Sequence, residues 1–203
     1  MKICIAIPTP IEIETSVWER LKTNNNIDLL ITGIGIANTI FQLTKYLILH
    51  KIDFVIHGGI AGTFSSEHKI GQVFQVVRDS FADFGVNEQD AFIHASEIFN
   101  EPKWFNNAFN HNIGIPPATG ITVNSITANI NTINIYSQNF NADIETLENA
   151  AVFLVCKQLN IPFLSIRSVS NRVGDRNKQN WNIGTAVENL WLILKKIVNN
   201  FHE

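Results

Sequence analysis

Short apolar runs recur along this chain, and each gives way to a polar or glycine-containing stretch. The runs are Ile3 to Ile7, Leu29 to Thr32, Phe54 to His57, Val73 to Val77, Thr122 to Thr127 and Phe163 to Val169. Because they lack strict alternation with polar residues, they predict strands that are covered on both faces. A sheet of such strands needs helices on each side.

Helix-like segments lie between these runs and carry apolar residues at three- and four-residue spacing. They are Ile36 to Leu49, Glu145 to Leu159 and Ala186 to Phe201. Strands that alternate with helices predict an α/β fold, here a three-layer α/β/α arrangement around a mostly parallel, mixed sheet. The segment from about Ser80 to Pro117 is less regular and predicts loops and short elements that wall a pocket.

Length and composition fit one globular unit. The chain has 203 residues, 45% of them hydrophobic, and no low-complexity stretch divides it, so residues 1–203 are expected to form a single domain. The formal net charge is only -3, with no long run of one sign, which argues against nucleic acid or an anionic membrane as a partner.

The apolar N-terminal run is too short for a secretory signal or a membrane span. Cys4 and Cys156 lie in apolar stretches and predict buried free thiols in a reducing cytoplasm.

Residues that follow the predicted strands are candidates for a site, since ligands of such sheets gather beyond the carboxyl ends of the strands. Glu12 and Glu14 follow the first strand, either as a general base or as partners of a helix dipole. Gly33 and Gly35 follow the second, where they form a tight turn or let backbone N–H groups approach a polar ligand. The small residues after His57 leave room for a flat ring or a sugar.

The last third of the chain carries a second pair of carboxylates. Glu145 and Glu148 are three residues apart and are predicted to share one face of a helix. They either complement the helix dipole or face a cavity, where a carboxylate accepts hydrogen bonds from both hydroxyls of a ribose diol.

These stretches, in this order, resemble the nucleoside phosphorylase and nucleosidase superfamily. Within it, the chain is similar to the hydrolase branch of methylthioadenosine/S-adenosylhomocysteine nucleosidases and futalosine hydrolases. The resemblance covers nearly the whole chain and is carried by Ile7 to Glu12, Gly33-Ile34-Gly35, Gly59-Ile60-Ala61-Gly62, Gly71, Thr122-Val123-Asn124, Glu145 to Ala151 and Ile166 to Asn171. It implies a nucleoside phosphorylase/hydrolase-like fold.

The resemblance also implies roles for individual residues. Glu12 falls where the nucleosidases place the carboxylate that activates the attacking water, and Glu148 falls on the ribose-binding glutamate. Leu147 stands where the family usually has Met, and Asn149 where it usually has a small residue. The remaining implied positions are Gly33, Gly35, Ala61 and Gly62 around the water and sugar, and Val123 and Asn124 in the wall that stacks on the base.

Asn171 falls where the adenine-cleaving nucleosidases carry an aspartate. An ionised Asp offers only acceptors, whereas an Asn amide offers an acceptor and a pair of donors. A 6-oxopurine that gains a proton on N7 presents a donor there and an acceptor at O6, so the amide matches it with two hydrogen bonds. Asn171 therefore favours hypoxanthine as the leaving base, although an Asn that only caps a turn is the alternative.

The stretch Ser170 to Arg176 and Trp181 resemble futalosine hydrolases more than the methylthioadenosine enzymes. That similarity implies cleavage of futalosine to hypoxanthine and dehypoxanthine futalosine in a route to menaquinone, with Ser170 and Arg172 in contact with the substrate. Arg172 and Arg176 are candidates for holding the benzoate end, or are solvated surface residues. No metal or cofactor is expected, because no His or Cys spacing suggests one.

Three other functions remain open. A phosphorylase needs a cation for phosphate, but Pro8 to Glu14, Gly33 to Asn38 and His57 to Phe64 contain no Arg or Lys, and the Glu12 carboxylate would repel phosphate. A methylthioadenosine nucleosidase would release adenine, and a nucleoside-binding protein would release nothing. The third helix-like segment, Ala186 to Phe201, is apolar. Together with the aromatic residues and the resemblance, it favours a homo-oligomer, either a dimer or a tetramer.

Overall fold

The computed structural model describes residues 1–88, 91–107 and 113–201, which form an α/β fold with helices on both sides of a mixed sheet. The strands are β1 (Ile3–Ile7), β2 (Ile27–Ile31), β3 (Phe54–Thr63), β4 (Val73–Asp79), β5 (Gly85–Asn87), β6 (Phe92–His94), β7 (Phe105–Asn106), β8 (Pro117–Thr122), β9 (Ile144–Thr146) and β10 (Phe163–Arg172). The helices are α1 (Thr15–Leu21), α2 (Ile36–Leu49), α3 (Ala95–Ile98), α4 (Ile130–Phe140), α5 (Asn149–Gln158) and α6 (Ile183–Asn200), with 3-10 turns at Pro10–Glu12 and Lys178–Asn180.

The main sheet closes partly on itself around β3. One edge of β3 pairs with β10 in parallel along its whole length, while the other edge pairs first with β1 and then, antiparallel, with β9. β9 continues through β8 and β4 back to β10. Five strands therefore form a ring, and β1 and β2 extend from it. The prediction of an α/β fold with a mostly parallel, mixed sheet is confirmed.

Apolar clusters cover both faces of the sheet, as the continuous runs predict. Helices α2 and α5 cover one face through residues such as Leu43, Val152 and Phe153, and α6 covers the other through Leu190, Trp191 and Leu194. All six of these side chains are fully buried. Cys4 and Cys156 are both buried and free, as predicted.

Two element boundaries differ from the prediction in ways that change the site. Glu145 lies in β9 and not in a helix, because its segment pairs with β3 and β8. The helix begins only at Asn149, with Glu148 at its cap, so the two glutamates do not share a helix face. The strand predicted for Thr122 to Thr127 is also wrong, since β8 ends at Thr122 and the following residues form a loop.

Candidate active site

A cavity of about 220 Å³ opens at the carboxyl ends of β1, β3 and β10. Most of its lining comes from the segment that follows β1, from the last residues of β3 and β10, and from β9 with the turn after it. The lining residues are Pro8, Thr9, Ile11, Glu12, Ile34, Ile60, Ala61, Gly62, Ile126, Glu145, Thr146, Leu147, Glu148, Ser170, Asn171, Trp181 and Ile183. The structure thus brings together the predicted residues Glu12, Ala61, Gly62, Leu147, Glu148, Ser170 and Asn171.

Glu12 is held at the cavity by both of its carboxylate oxygens. The hydroxyl of Thr9 donates to Oε1 at 2.9 Å, and the backbone N–H of Ile60 donates to Oε2 at 2.9 Å. The side chain is 5% exposed, and this burial raises the pKa of the Glu12 carboxyl, while the hydrogen bonds and the charge of Arg167 oppose the rise. A carboxylate with a raised pKa is suited to accept a proton from water.

Glu148 faces the same cavity from the start of α5. The backbone N–H of Gly35 donates to its Oε1 at 2.9 Å, which is the contact that the glycines after β2 make possible. Gly35 has a φ of 88°, a conformation that L side chains rarely adopt. Burial raises the pKa of Glu148, and the nearby positive charge of Arg167 opposes this effect.

Arg167 is a buried charged residue beside the cavity that sequence reasoning missed. It is fully buried on β10, and its charge acts on both Glu12 and Glu148. A Cβ on Gly59 would lie 2.1 Å from Arg167 Nη1 and 3.1 Å from Glu12 Oε2, so only glycine leaves space for these two groups. We call Glu12, Glu148 and Arg167 the carboxylate end of the site. The available signal was an arginine inside a strand predicted to be covered on both faces.

A buried polar network supports Arg167 from behind. Nη2 of Arg167 lies 2.8 Å from Nε2 of His57. Burial of His57 and the charge of the arginine hold the pKa of this histidine well below its usual range. His57 is fully buried and does not line the cavity. The Asn149 amide donates to Asp79 at 2.7 Å and accepts a hydrogen bond from the Ser165 hydroxyl. Burial raises the pKa of Asp79 to about 7.

Neutral groups hold Asn171, farther along the cavity. Its Nδ2 donates to the Arg172 carbonyl at 2.9 Å, and the Ser170 hydroxyl donates to its Oδ1 at 2.7 Å. Asn171 is 8% exposed and lines the cavity. Each amide atom retains hydrogen-bonding capacity after these contacts, because an amide has two N–H donors and two acceptor lone pairs. We call Ser170 and Asn171, with Glu145 beside them, the amide end of the site.

Glu145 belongs to this end although the sequence placed it on a helix. Its Oε1 accepts a hydrogen bond from the backbone N–H of Thr127 at 3.0 Å, and its Oε2 is buried without a hydrogen-bond partner among the described residues. Burial is the largest cause of a raised pKa for Glu145, which Thr127 opposes and the charge of Asp83 reinforces.

Val123 and Asn124, which the resemblance places in the wall that stacks on the base, are not part of the cavity lining. The side chain of Val123 is fully buried in a cluster with Ile121, Tyr136 and Phe140. Asn124 is exposed and hydrogen bonds to Asp83 through its backbone N–H and its amide. Because β8 ends at Thr122, the loop turns earlier than predicted and presents Ile126 instead.

Several other predicted contacts lie outside the cavity lining. Gly33 and Gly35 flank it, and Ile34 between them lines it. The guanidinium of Arg172 donates to the carbonyls of Ser65 and Ser66, so it is held by main chain and does not line the cavity.

Arg176 is exposed and lies 6.0 Å from the ring centroid of Trp181, which does line the cavity. This places a positive charge beside the rim of the site.

None of the described residues of the segment from Ser80 to Pro117 belongs to the lining of this cavity, but the segment walls a separate pocket through residues such as Phe81, His94 and Phe105. Residues 89–90 and 108–112 of that segment lie outside the described part of the chain. Across residues 1–88, 91–107 and 113–201, no group of three or more His, Cys, Asp or Glu side chains is arranged to hold a metal ion. Nor does any helix within those ranges have the length and apolar character required to cross a membrane.

Two curated proteins are similar to this chain in sequence. The futalosine hydrolase of Thermus thermophilus is 23% identical over 191 residues, covering 89% of this chain and 84% of the relative. The futalosine hydrolase of Streptomyces coelicolor is 27% identical over 172 residues, covering 79% and 73%.

The solved structure of a 5'-methylthioadenosine/S-adenosylhomocysteine nucleosidase from Helicobacter pylori has the same fold. It superposes with a TM-score of 0.86 at 16% identity and covers 98% of both chains. The predicted resemblance to this superfamily and to futalosine hydrolases is thereby confirmed. A family model described as the phosphorylase superfamily matches residues 17–199, and this chain belongs to that superfamily.

Proposed function

We propose that this chain is an N-ribosyl hydrolase that cleaves futalosine to hypoxanthine and dehypoxanthine futalosine, a step in a route to menaquinone. The observation that carries the proposal is a neutral amide, Asn171, in a cavity that also holds the buried carboxylates of Glu12 and Glu148. The two curated relatives, both called futalosine hydrolases, support the same substrate.

The carboxylate end is suited to the hydrolytic step. Loss of the base leaves positive charge on the ribose, as in glycoside hydrolysis. Glu12 removes a proton from the attacking water, and the positive charge of Arg167 favours the ionised carboxylate that this role requires. The Oε1 of Glu148 is held by Gly35, which leaves Oε2 to accept hydrogen bonds from the ribose hydroxyls. Arg167 is a positioning residue in this scheme.

The amide end stabilises the departing base. Oδ1 of Asn171 accepts from N7–H, and Nδ2 donates to O6 of hypoxanthine. The hydroxyl of Ser170 and the carbonyl of Arg172 fix the amide in this orientation. An amide does not act as a general acid, so the proton on N7 comes from solvent. Arg176, beside Trp181, is the proposed partner of the benzoate group.

Phosphorolysis is the main alternative within the superfamily. Arg167 supplies a buried cation that the glycine-rich stretches themselves lack, which removes part of the sequence argument against phosphate. However, its charge faces the carboxylates of Glu12 and Glu148, and Arg167 does not line the cavity. Two carboxylates at this position repel a phosphate dianion, so water is the proposed nucleophile.

Cleavage of methylthioadenosine is favoured by the close structural match to a methylthioadenosine nucleosidase. That reaction releases adenine, whose 6-amino group donates where O6 of hypoxanthine accepts. Asn171 therefore decides between the two substrates. A non-catalytic nucleoside-binding protein is the remaining alternative, and the presence of both Glu12 and Glu148 in the cavity argues against it.

Exposed apolar side chains near the cavity support the proposal of a homo-oligomer, a dimer or a tetramer. Ile34 and Ile126 line the cavity yet are 56% and 41% exposed, and Phe41 on α2 is 63% exposed. The apolar face of α6, from which the sequence predicted association, is instead buried in the core through Leu190 and Leu194. Light scattering after gel filtration measures the subunit number.

The buried free cysteines support a cytoplasmic location.

The test is release of free base in phosphate-free buffer. The purified protein is incubated separately with futalosine, aminodeoxyfutalosine, methylthioadenosine and inosine, and the base is identified by chromatography. We expect hypoxanthine from futalosine in preference to the other substrates. Adenine from the aminated nucleosides in preference would contradict the substrate assignment, and release only after phosphate is added would identify a phosphorylase.

A further inference from the structure

Glu145 is a buried carboxylate that the proposed mechanism does not use. It is 6% exposed and lines the cavity, and its Oε1 accepts a hydrogen bond from the backbone N–H of Thr127 at 3.0 Å. Oε2 has no partner among the described residues. An unpaired buried carboxylate oxygen is costly, so a donor on a bound ligand would relieve a penalty that the folded protein already carries.

The pairing of β3 places Glu145 on the same face of the sheet as Asn171. Gly62 pairs with Glu145 on β9 through one edge and with Asn171 on β10 through the other. A bulge between Val169 and Asn171 shifts the register of β10 at this point, and both Glu145 and Asn171 line the cavity, so the two side chains lie on its side of the sheet. The two side chains therefore flank Gly62, which has no side chain to separate them.

The geometry around Gly62 supports a shared ligand. A Cβ at this position would lie 3.3 Å from Asn171 Nδ2 and 3.1 Å from Cγ2 of Val173, so glycine keeps the space between the two neighbouring strands open. Gly62 itself lines the cavity. A flat ring placed above Gly62 would have Asn171 on one side and Glu145 on the other.

The chemistry of a 6-oxopurine fits that pair of groups. Its N1 carries a hydrogen and is a donor, whereas N1 of a 6-aminopurine is an acceptor. We propose that Glu145 is a specificity-determining residue that accepts the N1–H of a 6-oxopurine, while Asn171 binds N7 and O6 of the same ring. This inference deepens the proposed function and rests on it, because it assigns the leaving base of that reaction.

The test measures binding of free bases, which needs no turnover. Isothermal titration gives the dissociation constants of hypoxanthine, 1-methylhypoxanthine and adenine for the wild type, for Glu145→Gln and for the control Glu67→Gln. Glu67 is exposed and outside the cavity. Because a Gln amide has one acceptor fewer and donates to N1 of adenine, we expect Glu145→Gln to weaken hypoxanthine roughly 10- to 100-fold without weakening adenine. The control should bind like the wild type.

The comparison of the bases on the wild type does not depend on any variant folding correctly. We expect 1-methylhypoxanthine, which lacks the N1 donor, and adenine to bind at least about tenfold more weakly than hypoxanthine. Equal binding of hypoxanthine and adenine, undetectable binding of hypoxanthine, or an equal loss for both bases in Glu145→Gln would overturn the inference. An equal loss would indicate that Glu145 only anchors the loop at Thr127.

Failure of the inference is distinguishable from failure of the proposed function. If Glu145→Gln changes the choice of base but futalosine is not cleaved, the assignment of Glu145 stands and the substrate assignment is wrong. If futalosine yields hypoxanthine and Glu145→Gln leaves the ratio of hypoxanthine to adenine affinity unchanged, the reaction stands and Glu145 has no role in specificity.

Discussion

The two ends of the cavity are stabilised by different interactions. At the carboxylate end, the buried charge of Arg167 balances Glu12 and Glu148, and a network through His57 and Asn149 supports it. At the amide end, Asn171 is held by a hydroxyl and a main-chain carbonyl. Gly59 and Gly62, which mark the two ends, are three residues apart on β3, about 10 Å along the strand.

We propose that this difference separates the rate of the reaction from the choice of base. In the proposed mechanism, changes at the carboxylate end alter interactions with the water and the ribose, which every purine nucleoside shares. Changes at the amide end would alter contacts with the base alone. Variants at the two ends should therefore have distinct kinetic effects.

The largest expected effect comes from Glu12→Gln. The amide retains the shape of the side chain but does not take a proton from water, so kcat should fall by about 10²- to 10⁴-fold. Steady-state kinetics measure the loss, and titration of the product hypoxanthine measures binding. If Glu12→Gln binds hypoxanthine like the wild type but has lost turnover, the wild-type protein is an enzyme and not only a binding protein. If the variant retains full activity, Glu12 is not the base.

Gly59→Ala should damage the same end without removing a functional group. The new Cβ would lie 2.1 Å from Arg167 Nη1, so the guanidinium and Glu12 must shift, and a displacement of this kind costs about 10²-fold in activity. We also expect a loss of about 1–3 kcal/mol in the free energy of unfolding from overpacking.

Gly184→Ala is the matched control, because a Cβ at Gly184 meets nothing within 4 Å. It should leave activity unchanged, and helix α6 should be slightly more stable. Thermal unfolding and kcat/KM check both variants. Equal activity in the two would show that the position of Arg167 does not matter for catalysis.

Glu148→Gln should weaken nucleoside binding more than it slows the chemical step. Loss of a charged acceptor for the ribose hydroxyls costs about 1.5–3 kcal/mol, or roughly 10- to 100-fold in affinity. Free hypoxanthine has no ribose, so its dissociation constant should not change. A parallel loss for nucleoside and free base would place Glu148 away from the sugar.

Asp79→Asn tests the network behind Arg167 through the pH dependence of stability. The pKa of Asp79 is raised to about 7 in the folded protein from a usual 3.8, so its contribution to stability is present at low pH and is lost as the pH rises through about 7. The slope reaches at most about 1.4 kcal/mol per pH unit.

Urea denaturation of the wild type and Asp79→Asn at several pH values between 4 and 8 measures this contribution. We expect the free energy of unfolding to fall more steeply with pH for the wild type than for the variant. The same slope in both proteins would mean that Asp79 titrates normally in the folded state.

The sequence predicted the carboxylate end better than the amide end. Glu12 and Glu148 follow from motifs that lie next to β1 and α5, and the helix Ile36–Leu49 has the predicted bounds. Arg167 was missed because its partners come from β1, β3 and α5, which only the folded chain brings together. A charge in a buried strand shows that a partner exists but does not identify it.

The errors at the amide end have a different cause. Glu145 lies in a three-residue strand whose only support is pairing with distant strands, and such short strands have no periodicity of their own. The apolar spacing of α5 continues backwards through Glu145, so a helix was the expected result. Val123 and Asn124 do not line the cavity because β8 begins at Pro117 and already ends at Thr122. Two prolines and a glycine near its start interrupt the apolar pattern, so the sequence did not indicate this strand.

The most direct measurement is the ratio of kcat/KM for futalosine to that for aminodeoxyfutalosine, which differ in the 6-oxo and 6-amino groups. It is determined for the wild type, Asn171→Asp and Glu12→Gln. We predict that the wild type favours futalosine. Asn171→Asp should lower the ratio by tenfold or more, which corresponds to the loss of about one hydrogen bond to the base. Glu12→Gln should slow the reaction of both substrates and leave the ratio unchanged. A wild-type preference for the aminated substrate, or a ratio that Asn171→Asp does not alter, would contradict the assignment of base choice to the amide end.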